Sequence, residues 1–230
     1  MEMETPTVLG YINDQPRALR STLENKDEFV VPFVETFKKH NIKRVLFFGS
    51  GTSYNASVIA AHYFKQIVGI DAAAHYPTVF KNYEKADWTN MLKKDEILFV
   101  GISQSGTSRS TVDVMKYAKE NGYLTLALTE NVESEITKYV DTVVHLLCGK
   151  ELTPPETRGY TVTVLTLYLW AISIARLLGS YSERQYEEAM KDAEYLANNF
   201  ETVIKESEDW YEKNKTTIVN SDRIYILGYG

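Results

Sequence analysis

Five short apolar runs decide what this chain of 230 residues can fold into. They are Arg44–Phe48, Asp71–Tyr76, Glu96–Gly101, Tyr123–Leu128 and Asp141–Leu147. Most are apolar throughout rather than alternating, which suits strands buried on both faces. Between them lie stretches of helical spacing. Tyr54–Val68 carries Ala56, Ile59, Ala60, Tyr63, Phe64 and Ile67 on or near one face, and Thr111–Asn121 carries Val112, Met115 and Ala118. Ser134–Tyr139 adds a short helix. Strand and helix alternating across short turns predict right-handed crossovers and a doubly wound α/β fold. The expected sheet is parallel and five-stranded, in the order 2-1-3-4-5, with helices on both faces.

The flanks are helical. Asn13 or Asp14 can cap a helix with Pro16 in its first turn, and a second helix starts near Asp27 with Pro32 early in it. Gly159–Leu178 is apolar nearly all round and therefore belongs inside, whereas Ser182–Lys215 is long and laced with charge. The terminal Arg-Ile-Tyr-Ile-Leu-Gly-Tyr-Gly from Arg223 follows the plan of Arg44–Gly51, which points to an internal repeat. Four segments are expected: a helical segment, 1–41; the ligand-binding α/β domain, 42–180; a connecting helix, 181–222; and the first strand of a second domain, 223–230.

Two loops that follow strands carry the chemistry. Ile102–Ser110 leads from the third strand into a helix, and five of the eight residues from Ser103 to Ser110 bear hydroxyls. A helix N-terminus offers free N–H groups and partial positive charge, so such a loop can hold an anion. The plain alternative is that Ser105 and Thr107 cap the helix. The first strand ends in a similar loop, Gly49–Ser53. In the 2-1-3-4-5 order the first and third strands are neighbours and their helices take opposite faces, so both loops open on the switch-point crevice.

The anion is constrained by what is missing. Tyr54 stands where a dinucleotide fingerprint needs its third glycine, and no P-loop lysine or Gly-x-Ser-x-Gly elbow is present. No Lys or Arg lies in either loop before Arg109. A formal charge of -6 opposes nucleic-acid binding. Cys148 is the sole cysteine, which fits a reducing, cytoplasmic setting. No apolar run approaches a membrane span; the longest, Val162–Leu178, is broken by Thr163, Thr166, Ser173 and Arg176. His40, His62, His75 and His145 lack metal-ligand spacing, although His75 ends the second strand near the cleft. Neither a metal nor a cofactor is expected.

Gly51-Thr52-Ser53-Tyr54-Asn55 together with Ser103-Gln104-Ser105-Gly106-Thr107-Ser108 resembles the SIS (sugar isomerase) domain family over roughly residues 42–180. The likeness is to the isomerase half of glucosamine-6-phosphate synthase and to related phosphosugar isomerases and deglycases. That resemblance implies phosphate-holding hydroxyls at Ser103, Ser105 and Ser108, with Thr107 between them, a sugar-contacting Gln104, and first-loop contacts at Thr52 and Ser53. It also implies that Glu151–Thr161 closes over the sugar, with Thr157-Arg158-Gly159-Tyr160-Thr161 standing where the synthase has Thr-Lys-Ala-Phe-Thr. Two positions depart. Thr107 replaces a glutamate, and Glu156 replaces a sugar-contacting serine. Glu156 is either a substrate contact, the one candidate catalytic group in this chain, or an exposed carboxylate favoured by the helix dipole.

Isomerisation needs a base between adjacent carbons. By the resemblance that base comes from a second domain or a partner subunit. The expected function is therefore the phosphosugar-binding SIS domain of a sugar-phosphate isomerase or deglycase, acting as a homodimer on a small phosphorylated sugar. Glutamine-dependent amidotransfer is disfavoured, because its nucleophilic N-terminal cysteine is lacking. The alternative is a non-enzymatic sensor of sugar phosphates.

Overall fold

The computed structural model describes residues 7–153 and 155–225. Strands β1 (Arg44–Phe48), β2 (Asp71–His75), β3 (Ile97–Ile102), β4 (Leu124–Thr129) and β5 (Thr142–His145) form one parallel sheet in the order β2-β1-β3-β4-β5. This is the expected order. Successive strand residues face opposite sides. Val45, Phe47, Leu98, Val100, Ile102, Leu126 and Leu128 enter one core, while Leu46, Phe48, Ile97, Phe99 and Ala127 enter the other.

The first core is closed by α1 (Val8–Glu24), α2 (Asp27–Lys39), α3 (Thr52–Tyr63), α6 (Arg158–Leu178) and the start of α7 (Glu183–Val219). The second is closed by α4 (Pro77–Tyr83), α5 (Arg109–Glu120) and Ile136 of a 3-10 turn over Glu135–Tyr139. At the centre of the first, the Phe33 and Trp170 rings stack with centroids 4.0 Å apart, and Trp170 Nε1 donates to the Phe29 carbonyl at 2.9 Å. Burying the indole thus leaves no polar atom unmet.

Among the departures from the sequence reading, three bear on the core and the site. α1 begins at Val8, capped by Thr7, whose Oγ1 accepts from Gly10 N at 2.9 Å; Pro16 therefore lies inside the helix, not in its first turn. A proline there removes the bond to the Ile12 carbonyl. Gln15 Nε2 takes that carbonyl instead, at 3.2 Å, which is why the helix survives. Asp14, read as a possible cap, is engaged elsewhere. α3 starts two residues early, at Thr52, and ends in a π turn over Phe64–Val68 before Gly69.

The third departure concerns α6. It is 21 residues long and contains an 18-residue window of mean hydropathy 1.7, long and apolar enough to cross a membrane, contrary to the expectation from the interrupting polar residues. Fourteen of its 21 residues are buried within the fold, so α6 is a core helix. α7 runs for 37 residues, about 55 Å at 1.5 Å per residue. Only Ala189, Ala193 and Ala197 of it are fully buried. The expected strand at 223–230 falls mostly outside the described residues; Arg223–Tyr225 carry no regular structure.

Candidate functional site

The two hydroxyl-bearing loops meet at the carboxyl ends of β1 and β3, which pair in register from Arg44↔Ile97 to Phe48↔Gly101. Ser50 Oγ and Ser110 Oγ lie 3.1 Å apart and join them directly. Because α3 starts at Thr52, the Thr52 and Ser53 hydroxyls sit in its first turn rather than in the loop. Thr52 Oγ1 donates to Glu156 Oε2 across the cleft. The Ser53 carbonyl accepts from Ser57 Oγ at 2.7 Å.

The second loop is anchored by its backbone. Ser103 is buried; its N–H donates to the Leu128 carbonyl at 3.1 Å and its own carbonyl accepts from Gly106 N at 3.0 Å. Gly106 adopts φ 64°, and a Cβ there would fall 1.7 Å from Ser134 Oγ. Only glycine fits this turn. The turn presents Ser105 and Thr107 outward, with Ser105 Oγ and Thr107 Oγ1 2.9 Å apart. Neither caps α5. Its N-cap is Ser108, whose side chain makes no capping bond and instead accepts from Thr111 Oγ1 at 3.2 Å.

A third wall comes from the segment between β5 and α6. Glu151 closes the N-terminus of α6: its carboxylate accepts from Thr157 N and Thr157 Oγ1, both at 3.1 Å, and from Gly159 N. A carboxylate placed there satisfies orphan amides and complements the dipole. A Cβ on Gly159 would lie 2.6 Å from Gln104 Nε2, 2.8 Å from Glu156 Oε1 and 3.0 Å from Glu151 Oε1. The missing side chain lets these three groups converge. Burial pushes the Glu156 carboxyl above the ordinary range, Glu151 adds repulsion, and the Thr52 hydrogen bond opposes both only in part.

Gln104, Ser105 and Thr107 line an open pocket of about 550 Å³ with Glu130, Lys150 and Glu151. Thr52, Ser53, Ser103, Ser108 and Glu156 do not line it; Thr52 and Glu156 bond to each other beside it. Gln104 Nε2 donates to Cys148 Sγ at 3.3 Å and to the Gly149 carbonyl at 3.5 Å, which fixes the amide orientation. Burial pushes the Cys148 thiol up to about 12, so it is a protonated wall residue rather than a nucleophile. His75 pairs with Glu84 and stacks on Phe48; burial holds its imidazole below the usual value despite the carboxylate. It is a packing residue. Among the described residues no group of three or more His, Cys, Asp or Glu is placed to hold a metal ion.

Sequence reasoning did not find Lys150, the capping role of Glu151 or the Ser50–Ser110 link. Lys150 and Glu151 lie in a segment without periodicity; the resemblance set Glu151–Thr161 over the sugar but gave Glu151 no capping role and left Lys150 out. With Glu130, Glu133 and Glu151 around a single Lys150, the pocket is net acidic. An anion would have to be held by directed N–H and O–H donors rather than by the overall field.

The SIS domain family is matched by residues 40–173. The chain is 32% identical over 224 residues to the glutamine–fructose-6-phosphate aminotransferase (isomerizing) of Fusobacterium nucleatum, covering 95% of this chain and 36% of that protein. The enzyme of the same name from Thermococcus kodakarensis is 28% identical over 219 residues, covering 95% and 35%. The chain thus spans about a third of the length of these curated relatives. Among solved structures, a protein assigned as a phosphosugar isomerase from Clostridium difficile 630 superposes with a TM-score of 0.83 at 31% identity, over 94% of this chain and 59% of that one. The C-terminal domain of the glucosamine-fructose-6-phosphate aminotransferase from Francisella tularensis shares the fold, with a TM-score of 0.79 at 20% identity over 90% and 58%. With the sheet order, the paired hydroxyl loops and the matched segment in agreement, this chain belongs to the SIS domain family.

Proposed function

We propose that this chain is the phosphosugar-binding unit of a sugar-phosphate isomerase or deglycase that works as a cytoplasmic homodimer. The observation that carries the reading is the convergence of Gln104, Glu151 and Glu156 around Gly159, beside the outward hydroxyls of Ser105 and Thr107. Hydroxyls, loop amides and Lys150 suit a monophosphate; the amide and carboxylates next to them suit the hydroxyls of a sugar. In this reading Ser103, Ser105, Thr107 and Ser108 form the phosphate loop, Gln104, Thr52 and Ser53 the sugar side. Glu156 accepts from a sugar hydroxyl or meets a substrate amine.

The base that moves a proton between adjacent carbons comes from a second domain or a partner subunit. The repeat that opens at Arg223 supports a second domain of the same plan.

Calorimetric titration with fructose 6-phosphate, glucosamine 6-phosphate and an N-linked fructose phosphate tests this. A hydrogen bond to a charged group is worth about 1.5–3 kcal/mol, so Ser105→Ala weakens the bound sugar phosphate by about 10- to 100-fold. If none of the three binds wild type more tightly than Ser105→Ala, the phosphate assignment is wrong.

A further inference from the structure

The segment 146–157 holds Lys150, Glu151 and Glu156, yet its described residues carry no regular secondary structure. Glu151 ties it to the start of α6 and Thr52 and Gln104 bond to it from across the cleft, but a further set of anchors comes from the other end of the chain. Tyr11 Oη accepts from Leu152 N at 2.9 Å. Asp14 Oδ2 accepts from Arg158 Nη1 at 2.7 Å. Gln15 Oε1 accepts from Thr161 Oγ1. Three residues on one helix thus hold both ends of the site wall.

Arg158 is the keystone of the arrangement. It is 4% exposed, its guanidinium carbon lies 4.9 Å from the Tyr11 ring centroid, and Nη2 donates to the Lys150 carbonyl at 3.1 Å. One planar group therefore clamps the backbone before Glu151 to the acid on α1. Lysine, whose donors all radiate from one nitrogen, lacks the planar fork that spans these two acceptors while stacking on Tyr11. Asp14 responds as a paired acid: burial raises its carboxyl, but hydrogen bonds from Arg17 and Arg158 overcome this and hold it below the ordinary value.

We infer that Tyr11, Asp14 and Arg158 are positioning residues that set the Glu151–Glu156 wall against the Ser103–Ser108 loop, so that α1 controls how tightly the sugar side is gripped while leaving the phosphate side alone. The asymmetry follows from the anchoring. The 103–108 loop is fixed by the sheet, through Ser103 N to Leu128 O and Glu130 N to Gln104 O, and by no residue of α1. The sugar-phosphate reading enters only in naming what the wall serves.

The test uses the full chain with Tyr11→Phe and Asp14→Asn. Tyr11→Phe keeps the buried ring and removes only the acceptor for Leu152 N, so it stays folded even if Asp14→Asn, which strands a buried guanidinium, does not. Amide hydrogen exchange followed by NMR is the first readout and needs no ligand. Exchange at Leu152, Thr157 and Gly159 accelerates about tenfold or more in Tyr11→Phe, while Ser103, Gly106 and the β3 amides stay within twofold, because local opening leaves the rest of the fold intact. Unchanged exchange at 152–159, or equal acceleration at Ser103 and Gly106, overturns the inference.

The second readout is calorimetry with inorganic phosphate and with fructose 6-phosphate. Misplacement of a positioning wall costs binding of the sugar, so fructose 6-phosphate weakens about tenfold or more and phosphate less than twofold. Equal weakening of the two also overturns it. If wild type binds neither, the sugar-phosphate reading fails, and the exchange data still decide the role of α1.

Discussion

Gly106→Ala separates two costs that the phosphate loop hides. The φ of 64° at this position is left-handed, which costs alanine about 1–2 kcal/mol relative to a right-handed residue. The second cost is steric. The new Cβ would lie 1.7 Å from Ser134 Oγ, 2.4 Å from Ser134 Cβ and 2.9 Å from Thr129 Oγ1. Ser134 is only 5% exposed and cannot swing into solvent, so the loop must lift or the 3-10 turn must shift. Overpacking of this kind costs about 1–3 kcal/mol. Together the loss is about 2–5 kcal/mol, a large part of the 5–15 kcal/mol of a typical domain.

Urea unfolding of wild type, Gly106→Ala, Ser134→Gly and the double variant apportions this. Ser134→Gly in the alanine background recovers about 1–3 kcal/mol and leaves the backbone cost, so the cycle shows a coupling of that size. The close approach of loop and turn is refuted if the double variant is merely the sum of the two singles. Phosphate binding follows the same order, strongest in wild type and weakest in Gly106→Ala, since Ser105 and Thr107 flank the displaced residue.

Two further outcomes concern pH. The Glu156 carboxyl is raised by burial, so its charged form penalises the fold above the raised value, and the penalty vanishes below the ordinary value of 4.5. Glu156→Gln therefore stabilises the chain at neutral pH and not near pH 4, in paired urea titrations, while weakening the sugar phosphate; equal stability at both pH values refutes the buried-carboxylate account. Asp87 has the opposite sign. Its carboxylate accepts from Thr89 Oγ1 at 2.6 Å and from the Thr89, Leu92 and Met91 N–H groups at 2.8–2.9 Å, which holds it well below the ordinary value of 3.8. It stabilises the fold above 3.8 and loses that contribution as the pH falls further. Asp87→Asn removes this acid-dependent part, so an unchanged acid limb of the stability curve counts against it.

The sheet was legible because β1 and β3 are nearly uninterrupted apolar runs and the others are short, β-prone runs between helical stretches, and the order of such runs leaves few topologies. The hydroxyl loops were legible because Ser103–Ser108 and Gly51–Ser53 are adjacent residues in local motifs, and the SIS match over 40–173 agrees with them. The start of α1 was not. Pro16 ordinarily marks a first turn, and its tolerance here depends on the Gln15 side chain filling the Ile12 carbonyl. The third wall was expected from the resemblance over Glu151–Thr161, but its anchoring was hidden for a related reason. Leu152 and Arg158 are held by Tyr11 and Asp14, about 140 residues earlier, and such partners leave no periodic trace.

α7 has a mechanical consequence. Beyond Ala197, its last fully buried residue, 22 further helical residues run to Val219, about 33 Å at 1.5 Å per residue. A rigid rod of that length converts a tilt of about 5° at its base into a displacement of about 3 Å at its tip. Its base packs on the core that α1 also closes, around Leu19 and Ala193, and the Arg20–Glu201 ion pair at 2.7 Å ties α1 to the first turn beyond that base. A torque applied at the far end of this lever is therefore delivered to the helix that carries Tyr11 and Asp14.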